Sequence, residues 1–253
     1  MRKLTLLLLF ALLVTACGKK GPLVYPEMLV PAASTDIVAQ QSGTSMKLSF
    51  VLPFKDQAGR NLSNLAGITI LKRDAQADQP LMCSACTDDF TMFRRLNLDL
   101  LPPGTQRNGS LITTLDWDVQ PGRSYTYIVT AFAKNDVSGA QSAPTVSIMV
   151  VPPAPPVLQA ISQPTEINLE FVGLPNSAGA LAGYNVYRTV KGEVFSLWPL
   201  HRLPLTANRF SDVGMERGVT YVYAVRTVIR TPKGALVESG MSNEVEGKLK
   251  DDE

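Results

Sequence analysis

Three stretches of alternating apolar and polar residues each occur twice along this chain of 253 residues. MKLSFVLP at 46–53 is matched by INLEFVGLP at 167–175, and LAGITILKR at 65–73 by LAGYNVYR at 181–188. PGRSYTYIVTA at 121–131 is matched by RGVTYVYAVRT at 217–227. The period of two, with many aromatic and β-branched residues, predicts β-strands, and proline ends the first pair. The chain is therefore expected to contain two copies of one β unit.

The first copy is longer than the second. Sixty residues separate Leu65 from Tyr125, whereas forty separate Leu181 from Tyr221. The twenty extra residues lie within positions 74–116, a stretch that also contains a C-x-x-C pair. We expect this insertion to be a distinguishing feature of the first unit.

The N-terminus has the pattern of an export signal. Arg2 and Lys3 precede an apolar run at 4–14, which is too short to cross a bilayer as a helix of roughly 20 residues. The following VTAC at 14–17 resembles a bacterial lipobox. That resemblance implies cleavage of residues 1–16 as a signal peptide and addition of diacylglycerol and an N-acyl chain such as palmitate to Cys17. Several acyl chains give firm membrane anchoring, and residues 17–34 would form the lipidated tether.

The residues after the lipobox carry a second resemblance. CGKKGPLVYP at 17–26 is similar to the head of small lipoproteins associated with maturation of the lipopolysaccharide translocon. It implies, as an alternative function, an assembly or maturation factor for outer-membrane lipopolysaccharide transport. The resemblance places the protein in the bacterial cell envelope, facing the periplasm. Gly18, where an inner-membrane retention signal has Asp, favours the outer membrane over the inner.

The repeated strands resemble strands B, C and F of fibronectin type III domains, and SGMSNEV at 239–245 is similar to the start of strand G. Tyr125 and Tyr221 stand where that family has its structural tyrosine corner. Phe50 and Phe171 replace the usual Trp of strand B. The resemblance implies an all-β fold of two tandem sandwiches, at 35–151 and 152–248, followed by an acidic tail at 249–253. VPPAPP at 151–156 predicts a stiff polyproline spacer between them.

The chain has three cysteines, and lipidation of Cys17 would leave Cys83 and Cys86. A local disulfide between these two is the interpretation that an oxidising compartment favours. A redox pair and a zinc site completed by Asp88 and Asp89 stay open as alternatives.

Composition limits the chemistry. There are 24 basic and 22 acidic residues, and removal of Arg2 and Lys3 makes the numbers equal, so nucleic acid is not an expected partner. The single histidine, His201, is expected in a loop, and no G-x-S-x-G motif accompanies it. We expect Asp212 in a turn and the basic pairs at 72–73 and 94–95 in solvent. The apolar side chains at 195–198 are expected to pack under a sheet edge or to form a recognition patch.

These observations predict a protein that is not an enzyme and has no cofactor and no metal. The predicted function is a non-catalytic, membrane-anchored binding or scaffold module of the bacterial envelope. Its membrane contact would be the N-terminal lipid, and its partner an unidentified envelope protein or glycan. A hydrolase or redox enzyme is the less favoured alternative.

Overall fold

The structure, a computed structural model, describes residues 25–77, 89–174 and 178–250. Within these ranges the regular elements are β-strands and one short 3₁₀ turn, Pro26–Met28. The predicted all-β fold is therefore confirmed. The strands are β1 Thr35–Ser42, β2 Ser45–Val51, β3 Leu65–Gln76, β4 Thr91–Asn97, β5 Thr105–Asn108, β6 Leu111–Asp116, β7 Arg123–Ala133, β8 Ser138–Gln141, β9 Thr145–Ile148, β10 Val157–Ser162, β11 Ile167–Val172, β12 Ala180–Val190, β13 Arg209–Asp212, β14 Tyr221–Arg230, β15 Leu236–Glu238 and β16 Val245–Gly247.

Strands β1 to β9 form the first sandwich. One layer has the order β1-β2-β6-β5 and the other β4-β3-β7-β8, with β9 also paired to β7. Alternation along each strand sends every second side chain between the layers, where apolar burial stabilises the fold. The core side chains include Met46, Leu48, Phe50, Ile68, Ile70, Leu96, Ile112, Tyr127 and Val129.

Strands β10 to β16 form the second sandwich. Its layers are β10-β11-β13 and β12-β14, with β15 and β16 both paired to β14. Phe171 is buried against Tyr184, with 4.8 Å between the ring centroids. The repeated stretches of the sequence occupy equivalent strands, namely β2 and β11, β3 and β12, and β7 and β14. The strand order in both units is that of a fibronectin type III-like sandwich.

The two units differ mainly between their second and third repeated strands, that is, between β3 and β7 in the first and between β12 and β14 in the second. In the first, the stretch 74–116 contains β4 and β5 as well as β6, and β6 is the counterpart of β13 in the second. In the second, residues 191–208 are described throughout and contain no strand. They run instead along the free edge of β12, where Leu205 exchanges backbone hydrogen bonds with Tyr184 in both directions at 2.9 Å.

The segment before β1 is packed against the first sandwich. The backbone N–H groups of Ala58 and Gln57 donate to the carbonyls of Met28 and Val30, at 3.1 and 3.0 Å. The Ala32 N–H donates to the Lys55 carbonyl at 3.0 Å. The part of the predicted tether from Met28 onwards is thus hydrogen-bonded to the domain.

The two sandwiches share a sheet. Strand β1 of the first pairs in parallel with β15 of the second, with Gln41 opposite Val237 and Ser42 opposite Glu238. This short ladder joins β1-β2-β6-β5 to β12-β14-β15 in one sheet, and β16, paired to β14, is its eighth strand. The proline-rich residues 151–156 are therefore not the sole connection between the units, and no pattern in the sequence indicated this pairing.

Candidate functional site at the domain junction

A buried carboxylate lies where the two sandwiches meet. Glu238, the last residue of β15, has no exposed surface. Its Oε1 accepts hydrogen bonds from the Asn185 amide at 2.6 Å and the Tyr187 hydroxyl at 2.7 Å. Its Oε2 accepts from the Ser42 hydroxyl at 2.6 Å and from Lys47 Nζ at 3.1 Å. Two of these donors belong to each sandwich, so the carboxylate ties them together.

The environment keeps Glu238 charged. Burial alone would raise its pKa, but the nearby Lys47 charge and the hydrogen bonds from Ser42 and Tyr187 lower the pKa to about 2. Burial and the Glu238 charge raise the pKa of Tyr187, so its hydroxyl stays protonated and available as a donor. The burial of this carboxylate is offset by its hydrogen bonds and by the Lys47 charge, and both sandwiches supply these groups. The charged Glu238 side chain therefore stabilises only the docked arrangement of the two domains.

A side-chain amide forms a second link across the junction. Gln106 of β5 donates from Nε2 to the Phe195 carbonyl at 2.8 Å and accepts at Oε1 from the Leu197 N–H at 2.7 Å. The two bonds resemble those of a β-bridge, with the Gln106 side-chain amide in place of a backbone peptide group. They join the first sandwich to the 191–208 loop of the second. The side chains of Phe195, Leu197 and Trp198 are half-buried there. The backbone of the candidate patch at 195–198 thus takes part in domain docking.

Each sandwich also contains a buried aspartate, at the end of β6 in the first and of β13 in the second. Asp116 accepts a hydrogen bond from the Tyr127 hydroxyl at 2.8 Å and lies 2.7 Å from Lys72 Nζ. In the second copy Asp212 accepts from Tyr223 at 3.0 Å. The second aspartate is paired with Arg188 at 2.7 Å. The same Tyr, Asp and cation arrangement therefore occurs twice.

Two of these residues, Lys72 and Asp212, are buried, contrary to what their sequence context predicted. Lys72 was expected in solvent but is 9% exposed, because the alternation of β3 places it on the core face with Ile68 and Ile70. Asp212 was expected in a turn but is the buried last residue of β13. In both cases a nearby opposite charge compensates burial, a pairing that residue type alone does not reveal.

The tyrosine-corner residues lie beside these buried pairs. The Tyr125 hydroxyl accepts a hydrogen bond from the Gln120 N–H at 2.7 Å, and the Tyr221 hydroxyl accepts from the Glu216 N–H at 3.1 Å. Lys72 Nζ lies 4.9 Å from the Tyr125 ring centroid. Each hydroxyl holds the loop that precedes its own strand, a structural rather than a catalytic role.

An open cleft of about 440 Å³ lies next to Lys72. Its charged groups are largely paired, Lys72 with Asp116 and Arg123 with Asp74. The Asp118 side chain is 99% exposed, and its Oδ2 lies 4.0 Å from Lys72 Nζ at the edge of the cleft. The cleft is lined by Lys72, Asp74, Thr91, Met92, Phe93, Asp118, Gln120, Arg123 and Tyr125.

His201 is held by both ring nitrogens. Its Nε2 accepts a hydrogen bond from the Val186 N–H at 3.1 Å, and Nδ1 donates to the Leu203 carbonyl at 2.6 Å. Burial lowers the pKa of the imidazole, which favours this neutral form. The ring therefore provides a hydrogen-bond acceptor for the Val186 N–H on the free edge of β12.

Cys17, Cys83 and Cys86 lie outside the described residues, so the lipid and disulfide assignments stay predictions. Among the described residues, no group of three or more His, Cys, Asp or Glu side chains is placed to hold a metal ion. The described part also contains no helix with the length and apolar character needed to cross a membrane.

Comparison with known proteins finds solved structures that align with the chain but no protein related to it in sequence. No family model matches the chain, and no curated protein matches it. The FN1-FN3 domains of chicken CNTN1 align with 87% of this chain and 68% of their own length, at 12% identity and a TM-score of 0.33. A structure described as "Myokine structure" aligns with 39% of this chain and 99% of its own, at 15% identity and a TM-score of 0.31.

Proposed function

We propose that this protein is a non-catalytic, lipid-anchored binding and scaffold module of the bacterial envelope. The observation that supports it best is the buried Glu238 at the junction, which links two sandwiches within one sheet. Such a joint resists bending and holds the loops of both units at a fixed separation. A scaffold needs this property.

The buried ionisable groups support a structural assignment. Glu238, Asp116 and Asp212 are each committed to a cation and a tyrosine hydroxyl. His201 uses both ring nitrogens to hold backbone groups. A general acid or base needs a free position directed at a substrate, and none of these four groups has one.

The anchor is the lipid that the lipobox implies at Cys17, with the outer membrane as its site. The partner would be an envelope protein or a glycan, bound at the cleft beside Lys72 and by the adjoining insertion. Polar groups on the rim, such as Asp118 and Gln120, would accept or donate hydrogen bonds to it.

Membrane fractionation tests the anchor. We expect the full chain in the membrane fraction and the Cys17→Ser variant in the soluble fraction. A Cys17→Ser protein that stays fully membrane-bound would contradict the proposal.

Crosslinking in the envelope tests the binding surface. The stretch 74–116 cannot be removed whole because β4, β5 and β6 lie within it. We therefore compare Asp118→Ala, on the cleft, with Asp99→Ala, an exposed aspartate outside the residues that line it. We expect loss of a specific crosslinked product in the first variant alone. Equal patterns in the two variants would argue against the cleft.

The alternative, a maturation factor for lipopolysaccharide transport, is supported by the head at 17–26. A photocrosslinker at Leu23 distinguishes the two proposals. Capture of a translocon component favours the alternative, and its absence leaves the head as an anchor.

A further inference from the structure

Three segments meet at the end of the first sandwich that lies nearest the N-terminus. They are residues 25–32, 54–64 and 134–140, which we call the N-terminal pole. The Ala140 N–H donates to the Pro31 carbonyl at 2.9 Å, and the Lys134 N–H donates to the Asn64 carbonyl at 2.8 Å. With the bonds of Ala32 to Lys55, these contacts make the pole one continuous surface.

The pole exposes large apolar side chains at four positions. Phe54 is 71% exposed, Tyr25 55%, Leu29 44% and Val137 40%. An apolar side chain in water loses the stabilisation that burial would give it, and several such side chains at one end of a domain favour an interaction surface there.

The charges around these side chains favour a lipid surface as the partner. Lys55 and Lys134 are exposed, and Lys55 Nζ lies 5.4 Å from the centroid of the Phe54 ring. Of the pole's three acidic groups, Asp56 pairs with Arg60 at 2.8 Å, Asp136 pairs with Arg95, and Glu27 is exposed. Aromatic rings combined with lysines, whose stems lie along apolar surface while the amines reach polar headgroups, suit the membrane interface.

The sequence limits how far the pole can lie from the proposed anchor. Tyr25 follows Cys17 by eight positions, and eight residues of fully extended chain span at most about 29 Å. Tethering at this range gives the pole a high effective concentration at the bilayer, so even weak apolar contacts become populated.

We propose that the N-terminal pole rests on the phospholipid surface, with Phe54, Leu29 and Tyr25 in the interface. This inference rests on the proposed lipid anchor. Strand β1 runs from the pole to the junction with β15, a distance of about 25 Å for its eight residues. Contact at the pole would therefore hold the second sandwich away from the membrane and direct it into the periplasm.

Photocrosslinking to lipid tests the contact in the full-length lipidated protein. Benzoylphenylalanine replaces Phe54 in one sample and Val194, 86% exposed in the second sandwich, in the matched control. Both proteins are bound to vesicles of phosphatidylethanolamine and phosphatidylglycerol and irradiated after flotation. We expect a phospholipid adduct at position 54 that is at least tenfold more abundant than at position 194.

The possible outcomes distinguish contact of the pole with lipid from the lipid anchor at Cys17. Floated protein with no adduct at position 54, or with equal adducts at both positions, overturns the pole contact and leaves the anchor intact. Protein that does not float with vesicles contradicts the lipid anchor itself, and the pole contact falls with it. Adducts at position 54 alone support both.

Discussion

Lys47 of the first sandwich and Glu238 of the second form an ion pair of 3.1 Å with side-chain exposures of 11% and 1%. The two residues are 191 positions apart in the chain. Because both charges are withdrawn from water, each depends on the other and on the surrounding hydrogen bonds. The pair therefore makes docking of the two domains part of the stability of each.

Glu238→Gln should destabilise the protein strongly. The substitution keeps the shape but removes the charge, so it leaves Lys47 buried without its partner and should cost about 3 kcal/mol. Urea denaturation measures the change. Glu246→Gln is the matched control, because its pair with Lys191 is more than half exposed on both sides and should change stability by less than about 1 kcal/mol. Equal effects of the two substitutions would contradict the assigned role of Glu238.

The junction should also make stability depend on acid. Glu238 has a folded pKa of about 2 against an ordinary value of 4.5. Its stabilisation is therefore complete above pH 4.5 and is lost as the pH falls from 4.5 to about 2. We expect the stability difference between wild type and Glu238→Gln to shrink by on the order of 3 kcal/mol across this window. A difference that does not change with pH would contradict the lowered pKa.

The tyrosine corners should stabilise their loops through one hydroxyl each. Tyr125→Phe removes the acceptor for the Gln120 N–H and should lower the free energy of unfolding by about 1 kcal/mol. Tyr221→Phe removes the acceptor for the Glu216 N–H and should have an effect of about the same size. Tyr25→Phe, at a position 55% exposed, is the control and should be neutral. Thermal unfolding of the three variants measures this order. A neutral Tyr125→Phe would show that the bond makes no net contribution.

Periodicity in the sequence was sufficient to predict the strands but not the electrostatic contacts. The repeated alternation correctly placed β2, β3 and β7 and their counterparts, because side chains alternate across a strand regardless of context. It also placed Lys72 on the core face, yet the residue type suggested solvent. Burial became permissible only through Asp116, and a cross-layer partner is not visible in the local pattern.

A spacing signal for the buried aspartates was nonetheless present. Asp116 precedes Tyr125 by nine residues, and Asp212 precedes Tyr221 by nine. Lys72 and Arg188 likewise both follow the start of their Leu-Ala-Gly motif by seven. No comparable signal indicated Glu238, because its contacts depend on how the domains dock and not on the repeat.

His201 should titrate below its ordinary pKa of 6.5, since burial disfavours the imidazolium. The neutral ring stabilises the fold above pH 6.5, and this contribution is lost as the pH falls below that value and Nε2 takes a proton. As the chain has one histidine, its NMR titration is unambiguous. The protection factor of the Val186 amide, which corrects for the slower intrinsic exchange in acid, should fall over the same range. An ordinary pKa with an unchanged Val186 protection factor would contradict the assigned hydrogen bond.

The duplicated aspartates allow a comparison within one protein. Asp116→Asn removes the buried partner of Lys72, whose side chain is 11% exposed, and leaves it the exposed Asp118 carboxylate at 4.0 Å. Asp212→Asn removes the buried partner of Arg188, whose side chain is 24% exposed. An exposed carboxylate at 4.0 Å compensates little, and the loss costs more at the more deeply buried cation, so the first substitution should cost about 3 kcal/mol and the second about 2 kcal/mol. Asp99→Asn, on an exposed residue, should stay within about 0.5 kcal/mol. Urea denaturation of the full chain checks this order, and a larger loss for Asp212→Asn would show that exposure of the cation does not set the cost.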